Sequence, residues 1–348
     1  PNISKKGLRG GVIYHDGQFD DSRMAITLAL SADSKKTTLL NYCNVEGLIK
    51  KDGEIMGLNF TDLINSKKYQ IKSKVVINAT GVFAEEIIRM DQPKIEKMIQ
   101  PSQGVHIVLE RRFLKSKHAI LIPQTSDGRV LFAVPWKNYV VVGTTDTHIK
   151  KASEEPKALN EEIDFILKNA AKYMSVKPKR DDIKSVFAGL RPLAATSNKQ
   201  STKEVSRSHK IDISPSGLIS VLGGKWTTYR KIAEDALNTA ISINKLKKKK
   251  CKTERTKLFG FKRNVNWSDP MHVYGSMKKK VESLGGVNDN KSLSKKFYVS
   301  NNIIEWSIIH EMALTVEDIL ARRTRCVFLD SKESKRIAPV VAQKMADV

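Results

Sequence analysis

The sequence predicts an α/β protein. It reads as an open sheet whose strands run into glycine-bearing turns and then helices, with an inserted antiparallel sheet and a helical C-terminal part. Three observations carry this. The apolar run 217–222 meets Gly223-Gly224-Lys225 and then a helical pattern from Thr227 to about Ile243. Val75, Val76 and Ile77 lead in the same way through Asn78 into Ala79-Thr80-Gly81 and a helically spaced run through Ile88. Between these joins, residues 100–158 hold four short apolar stretches separated by turn signals, the pattern of an antiparallel sheet. A buried strand that feeds a glycine turn and a helix is the unit of an open α/β sheet, whose ligands lie off the carboxyl ends of its strands.

Taken in order, Asp20-Asp21-Ser22 precedes apolar Met24, Ala25, Ile26, Leu28, Ala29 and Leu30, which predicts a helix with acidic residues at its positive end. Segments 37–45, 54–61 and 73–78 alternate or run apolar between Lys-Asp-Gly and Asn-Ser-Lys turn signals, so they read as strands with a meander among them. Strands are expected at 105–109, 119–122, 130–134 and 139–143, with turns at Ser126-Asp127-Gly128 and near Lys137-Asn138. A helix follows over 159–173, and strand character returns at 183–187 and 218–222. Beyond Cys251, segments 301–313 and 316–323 carry apolar residues at three- and four-residue intervals, the spacing of helices.

A chain of 348 residues has room for two or three domains. Its longest apolar runs are strand-length, far short of the roughly 20 residues that span a bilayer, so membrane contact is expected to be peripheral. It opens on Pro1-Asn2-Ile3-Ser4 without an initiator Met or an apolar signal core, as a processed or truncated end would. Cys43, Cys251 and Cys326 lie far apart without paired spacing, which argues against a disulfide framework or a zinc site, and no metal is implied. The net charge of +24 would attract phosphorylated substrates, anionic lipid or nucleic acid. The lysine-rich run 245–250 has no interleaved aromatics to stack on bases, so a nucleic-acid partner is not expected and the run reads as a solvated linker.

The stretch Gly223-Gly224-Lys225-Trp226-Thr227-Thr228-Tyr229-Arg230 is the strongest candidate for chemistry. Adjacent glycines allow close approach to a flat or anionic ligand, and the open N–H groups of a helix start favour negative charge. The plainer reading is a tight connection capped by Thr227. A Gly-x-x-x-x-Gly-Lys-Thr spacing is absent, so triphosphate hydrolysis is not indicated. Four cations or titratable groups stand beside permissive backbone: His106, Arg191, Arg207 and Lys225. Arginine forks suit phosphate and an imidazole can take or give a proton, so together they would fit a phosphorylated alcohol. Singly, His106 also reads as a strand histidine and the arginines as surface ion pairs. Gly143-Thr144-Thr145-Asp146 reads either as a turn with a side-chain hydrogen bond or as part of a site wall.

With these pieces in order, the chain resembles the FAD-dependent glycerol-3-phosphate dehydrogenase and oxidase family. The matching stretches are Gly11-Val-Ile-Tyr-His-Asp-Gly-Gln-Phe-Asp-Asp-Ser-Arg23, Val76-Ile-Asn-Ala-Thr-Gly81, Pro101-Ser-Gln-Gly-Val-His106, Val141-Val-Gly-Thr-Thr-Asp146, Ala188-Gly-Leu-Arg-Pro192, Gly223-Gly-Lys-Trp-Thr-Thr-Tyr-Arg-Lys231 and Glu317-Asp-Ile-Leu-Ala-Arg-Arg-Thr-Arg325. The resemblance implies part of an FAD-binding Rossmann-like domain over residues 1–100, a β-rich substrate-binding cap over 101–185, a return to the FAD-binding domain over 186–245 and a helical domain over 250–348. It implies oxidation of sn-glycerol 3-phosphate to dihydroxyacetone phosphate by hydride transfer to FAD, with quinone or oxygen as acceptor. By the same resemblance Ala79, Thr80, Gly81, Gly223, Gly224, Thr227 and Thr228 line the flavin. Arg191 lies over its reactive face beside the substrate oxygen. The resemblance likewise implies that Arg191 acts there, with His106 as general base, Arg207 as phosphate contact and Lys225 completing the catalytic pocket.

One departure stands out. The family opens with a Gly-x-Gly-x-x-Gly turn that holds the FAD pyrophosphate, and no such fingerprint occurs in this chain. The chain is therefore expected to be the later two-thirds of the enzyme. Two other readings remain open at this point: a silent fragment that acts as a basic membrane-surface or partner-binding module, and a related flavin amine oxidase acting on amino acids. The expected location is cytoplasmic or peripheral on the inner face of an anionic membrane, and a homodimer is admitted as the assembly.

Overall fold

The structure, a computed structural model, describes residues 3–195, 208–244 and 246–348. Helix α1 (Asp21–Asp33) starts where the acidic cluster predicts, with the Asp20 carboxylate accepting from the Arg23 amide at 3.0 Å as N-cap. Strands β1 (Cys43–Lys51), β2 (Glu54–Asp62) and β3 (Lys68–Lys72) form an antiparallel meander. The strand expected over 37–45 is displaced to β1, because the preceding segment docks elsewhere. Asn41 donates to the Met312 carbonyl at 2.8 Å, and the Tyr42 hydroxyl donates to Asp318 at 2.8 Å from a left-handed backbone. Of the strand expected over 73–78, only β4 (Ile77–Asn78) forms, and it runs through a 3-10 turn, Gly81–Phe83, into helix α2 (Ala84–Asp91).

Strand β5 (Ile99–Glu110) is the axis of a six-stranded sheet. It is followed by β6 (Ile120–Ile122), β7 (Leu131–Trp136), β8 (Tyr139–Gly143) and the short β9 (Thr147–His148), then by helix α3 (Asn160–Tyr173) and strand β10 (Ser185–Ala194). The order is β10-β5-β8-β7-β6, with β9 also paired to β5. All pairings within this sheet are antiparallel. Strand β10 runs across the expected domain boundary at 185/186 and pairs with β5 over its whole length, from Ser185 opposite Val108 to Ala194 opposite Ile99.

Strands β11 (His209–Ile213) and β12 (Ile219–Gly223) complete a third sheet with β4, in which β12 and β4 are parallel. A 3-10 turn, Trp226–Thr228, then leads into α4 (Tyr229–Ile243), so the α-helix begins two residues later than the pattern predicts. The C-terminal part is helical: α5 (Lys278–Glu282), α6 (Asn301–Glu311), a π-helical stretch Asp318–Arg323, α7 (Cys326–Leu329) and α8 (Ser331–Asp347). This is the expected architecture: a mixed α/β fold with a Rossmann-like part, an antiparallel sheet and a helical C-terminal region.

Period-two alternation divides the two faces of β5. Val105, Ile107 and Leu109 are fully buried against Ile166, Leu167 and Ala170 of α3, in a core that also takes Phe113, Leu131, Val140 and Val142. On the opposite face Val108 packs with Tyr139, Phe297, Ile304, Ile319 and Leu329, which fixes the helical part against one end of the sheet. The rest of that second face, at Ser102, Gly104 and His106, is left to the candidate site. A third core, including Ile55, Val76, Ala84, Ile88 and Leu222, holds α2 and the meander to the β4–β12 sheet.

One buried ion pair ties the N-terminal helix to the C-terminal part. Arg23 donates through both Nη atoms to Glu311, at 2.9 and 2.5 Å, and Trp306 Nε1 adds a third bond at 2.9 Å. Burial alone would lower the guanidinium's affinity for its proton, but the carboxylate more than compensates.

Among the described residues, no helix is long and apolar enough to cross a membrane, and no group of three or more His, Cys, Asp or Glu side chains could hold a metal ion.

Candidate functional site

The register of β10 on β5 places His106 opposite Phe187 and Ser102 opposite Arg191. Residues four apart on a strand share a face, so His106 and Arg191 project from the same side of the sheet. Between them lie glycines that have to be glycines. A Cβ on Gly104 would run into the Arg191 guanidinium and come within 2.6 Å of Thr144 Oγ1, and a Cβ on Gly143 would run into the His106 ring. The two glycines thus clear the floor on which both side chains lie.

Arg191 is held by the segment that follows β8. Its Nη2 donates to Thr144 Oγ1 at 3.1 Å and to the Thr145 carbonyl at 3.2 Å, and its Nη1 lies 3.7 Å from Asp146 Oδ1. Ser102 Oγ donates to the same Asp146 oxygen. The guanidinium is thereby aimed rather than free to sweep, although 28 % of the side chain remains accessible. Of the stretch Gly143 to Asp146, the last three residues thus line one side of Arg191.

His106 stacks on Phe187 with ring centroids 5.1 Å apart, and Phe328 meets Phe187 edge-on at 5.0 Å. Burial pushes the imidazole down to about 4, with the nearby Arg191 charge acting in the same direction and Asp21 against it. At neutral pH the ring is uncharged and able to accept a proton. Arg325 closes this end, its guanidinium 4.1 Å from the centroid of Phe328 and its Nη1 donating to Ser22 Oγ at 2.7 Å. Its left-handed backbone turns the chain into α7 at that point.

The two glycine turns leave from neighbouring parallel strands, with Ile77 opposite Ile219 and Asn78 opposite Ser220. In the first, buried Asn78 donates to the Ala84 carbonyl at 2.9 Å and to Ser220 Oγ at 3.2 Å, while its Oδ1 accepts from Thr80 Oγ1 at 2.7 Å. Ala79 and Thr80 are left exposed, and Gly81 takes φ +61 facing open space. In the second, Gly223 and Gly224 take φ +71 and +90, and a Cβ on Gly223 would meet the Ser208 carbonyl at 2.9 Å. A side chain there is both strained and obstructed. Thr227 and Thr228 are exposed, and neither the 3-10 turn nor α4 has a side-chain cap, so Thr227 is not the N-cap of the plainer reading. Thr228 Oγ1 donates instead to the Lys225 carbonyl at 3.0 Å. Gly223 lies against Ala194 at the end of β10, and the Gly81–Phe83 turn packs on β10 and β5.

The fold thus brings the two turns, Arg191 and His106 to one region. Lys225 is exposed at the start of the second turn, and no hydrogen bond joins it to Arg191 or His106 among the described residues. Arg207 lies outside the described residues. Phe187, Phe328 and Arg325 were not assigned a role from sequence. The period-two spacing of Phe187, Gly189 and Arg191 is the signal that would have put the first of them on the site face.

A family model described as FAD dependent oxidoreductase matches residues 1–230. The chain belongs to the FAD-dependent oxidoreductase family. A second model, the C-terminal domain of alpha-glycerophosphate oxidase, matches residues 219–348. Among curated relatives, the mitochondrial glycerol-3-phosphate dehydrogenase of Mesocricetus auratus is 34% identical over 99% of this chain and 51% of its own length. The probable mitochondrial glycerol-3-phosphate dehydrogenase of Dictyostelium discoideum is 35% identical over 98% of this chain and 59% of its own. This family member thus spans about half the length of the curated relatives it matches. A crystal structure of the Bacillus halodurans glycerol-3-phosphate dehydrogenase complexed with FAD superposes with a TM-score of 0.85 at 27% identity, covering 99% of this chain and 72% of that one.

Proposed function

We propose that the protein to which this sequence belongs oxidises sn-glycerol 3-phosphate to dihydroxyacetone phosphate, with FAD as hydride acceptor and quinone or oxygen as the final acceptor. The observation that carries the reading is the pairing of a half-buried His106, neutral at pH 7, with a clamped Arg191 on one glycine-cleared sheet face, beside two glycine turns. An uncharged imidazole supplies the acceptor for the C2 hydroxyl proton. A fixed guanidinium stabilises the negative charge that develops on the same oxygen.

The residues present fit the ring end of a flavin. Ala79, Thr80 and Gly81, and Gly223, Gly224, Thr227 and Thr228, offer exposed, side-chain-poor turns at the ends of adjacent parallel strands, with uncapped amides at the second. Such a helix start favours negative charge on a reduced ring. A flavin held by these turns would supply the acceptor for the C2 hydride. His106 then carries the hydroxyl proton and Arg191 orients the oxygen. Lys225 is proposed to complete the catalytic pocket and Arg207 to contact the phosphate. The alternative of a silent basic module is not favoured, because the chain keeps His106, Arg191 and the glycine floor between them.

The test is flavin bleaching in the full-length protein. Anaerobic mixing with glycerol 3-phosphate is expected to reduce the flavin within the turnover time, and glycine or sarcosine to leave it oxidised. Reduction by the amines and not by the phosphate ester would overturn the reading.

For location, an anionic membrane surface is the proposed partner, met through the segment that carries exposed Phe261 and Trp267. Lys257 sits 5.2 Å over the Phe261 ring, and Lys262 and Arg263 are exposed beside it. Each cation near such a surface contributes about 1 kcal/mol, screened by salt. Cosedimentation with anionic but not neutral vesicles at low salt is expected, and a protein that stays in the supernatant with both would refute it.

A further inference from the structure

Glu162 is buried at the first turn of α3, on the far side of the six-stranded sheet from His106 and Arg191. Its carboxylate accepts four hydrogen bonds. Gln103 Nε2 and the Leu159 amide donate to Oε2 at 2.7 and 3.0 Å, and the hydroxyls of Thr145 and Thr147 donate to Oε1 at 2.8 and 2.6 Å. Burial alone would raise its pKa, but these donors hold it below the ordinary carboxylate value. It is therefore ionised at neutral pH, at the positive end of the helix dipole.

A carboxylate that only capped α3 would need one of those bonds, the one from Leu159. The other three come from β5, from β9 and from the segment that joins β8 to β9. That segment is the one that grips Arg191. Thr145 Oγ1 gives its proton to Glu162 and accepts from the Val105 amide at 3.0 Å, which fixes the residue from behind the sheet. The carbonyl of the same residue, with Thr144 Oγ1, receives the guanidinium in front. Gln103, also held by Glu162, lies between Ser102 and Gly104, the two β5 residues beneath Arg191.

We infer that Glu162 is a positioning residue for Arg191, acting through Thr145 and Gln103 from the opposite face of the sheet. The inference rests on the site reading above. It adds that the aim of the guanidinium is set by a carboxylate that touches neither substrate nor flavin. Replacement by Gln keeps the shape but offers one acceptor oxygen where two serve four donors. With its oxygen towards Gln103 and Leu159, the amide turns its N–H group to the threonines, whose hydroxyls must reverse to accept; the charge-assisted grip on residues 144–146 is lost. A shift well under 1 Å in a group that stabilises a transition state is enough to be felt in turnover.

The experiment is a double-mutant cycle on full-length holoenzyme, with rates normalised to bound flavin. Arg191→Ala alone is expected to lower kcat about 100-fold. Glu162→Gln alone is expected to lower it about 10-fold with little change in KM, and less than 2-fold when added to Arg191→Ala. The exposed neighbour Glu161→Gln is the control and should match wild type. An equal loss from Glu162→Gln in both backgrounds would show a merely structural role and overturn the inference, as would no loss in the wild-type background. If Arg191→Ala itself keeps full turnover, the site reading fails first and the inference with it. Should Glu162→Gln not fold, isosteric Thr145→Val cuts the same link and runs in the same cycle.

A second readout needs no turnover. The Nη resonances of Arg191, assigned by their loss in Arg191→Ala, should show faster guanidinium rotation in Glu162→Gln. Unchanged rotation would overturn the inference.

Discussion

Lowering the pH should destabilise this protein through His106 in particular, and the size of the effect follows from its burial. The folded ring titrates at about 4 against an ordinary value of 6.5. Between those two values the unfolded chain holds a proton at this position and the folded protein does not, so stability rises with pH across the window and is lost as pH falls below 6.5. At about 1.4 kcal/mol per unit, a drop from pH 7.5 to 4.5 removes roughly 2 to 3 kcal/mol through this one group. Other groups titrate over the same range, so the measurement is a difference. Urea unfolding of wild type and His106→Gln is compared at both pH values, and the wild type should lose about 2 to 3 kcal/mol more than the variant. Equal losses would refute the reasoning, since they would mean that the ring is charged, or solvated enough to be charged, in the folded protein. An imidazole that titrates near 6.5 by NMR in the folded chain would refute it independently.

Further outcomes are expected from the same geometry. Gly104→Ala places a methyl group against the Arg191 guanidinium and the Thr144 hydroxyl, two side-chain ends that must both shift to make room. The variant should fold with a melting temperature near wild type but lose turnover in the full-length enzyme by about 10-fold or more, and wild-type turnover would show that the guanidinium is not where it is needed. Gly224→Ala puts a side chain on a positive φ with Ile232 Cδ1 at 2.7 Å, and should destabilise the fold by about 1 to 3 kcal/mol in denaturant titration. Glu311→Ala leaves buried Arg23 without its carboxylate and should cost about 3 to 5 kcal/mol in the same assay; a loss under 1 kcal/mol would mean that water or another acceptor replaces it.

Features set by neighbouring residues were legible in the sequence. The joins at Gly81 and at Gly223-Gly224, strand Tyr139–Gly143, helix Asn160–Tyr173 and the acid-capped helix at Asp21 each depend on local propensity, on turn chemistry or on a periodic apolar face. The stretches that resemble the flavin-linked dehydrogenases also stand in the sequence as printed, and so does the pairing of His106 with Arg191 as candidates. What the sequence did not specify was long-range. Residues 37–42 have a strand-like pattern, yet they dock on the C-terminal part through Asn41 and Tyr42, and the strand forms further on. The segment after Phe187 carries no sign that β10 continues to Ala194, because its pairing partner lies more than eighty residues earlier in the chain. That register alone sets His106 beside Phe187 and Arg191 beside Ser102. The low pKa of His106 depends on burial between β8 and β10, where Phe187 is backed by Phe328 of α7, and the four bonds to Glu162 come from β5, β9, the segment before β9 and the residue before α3. Local sequence sets backbone propensity. The solvation of a charge and the aim of a side chain are properties of neighbours that only the folded chain brings together.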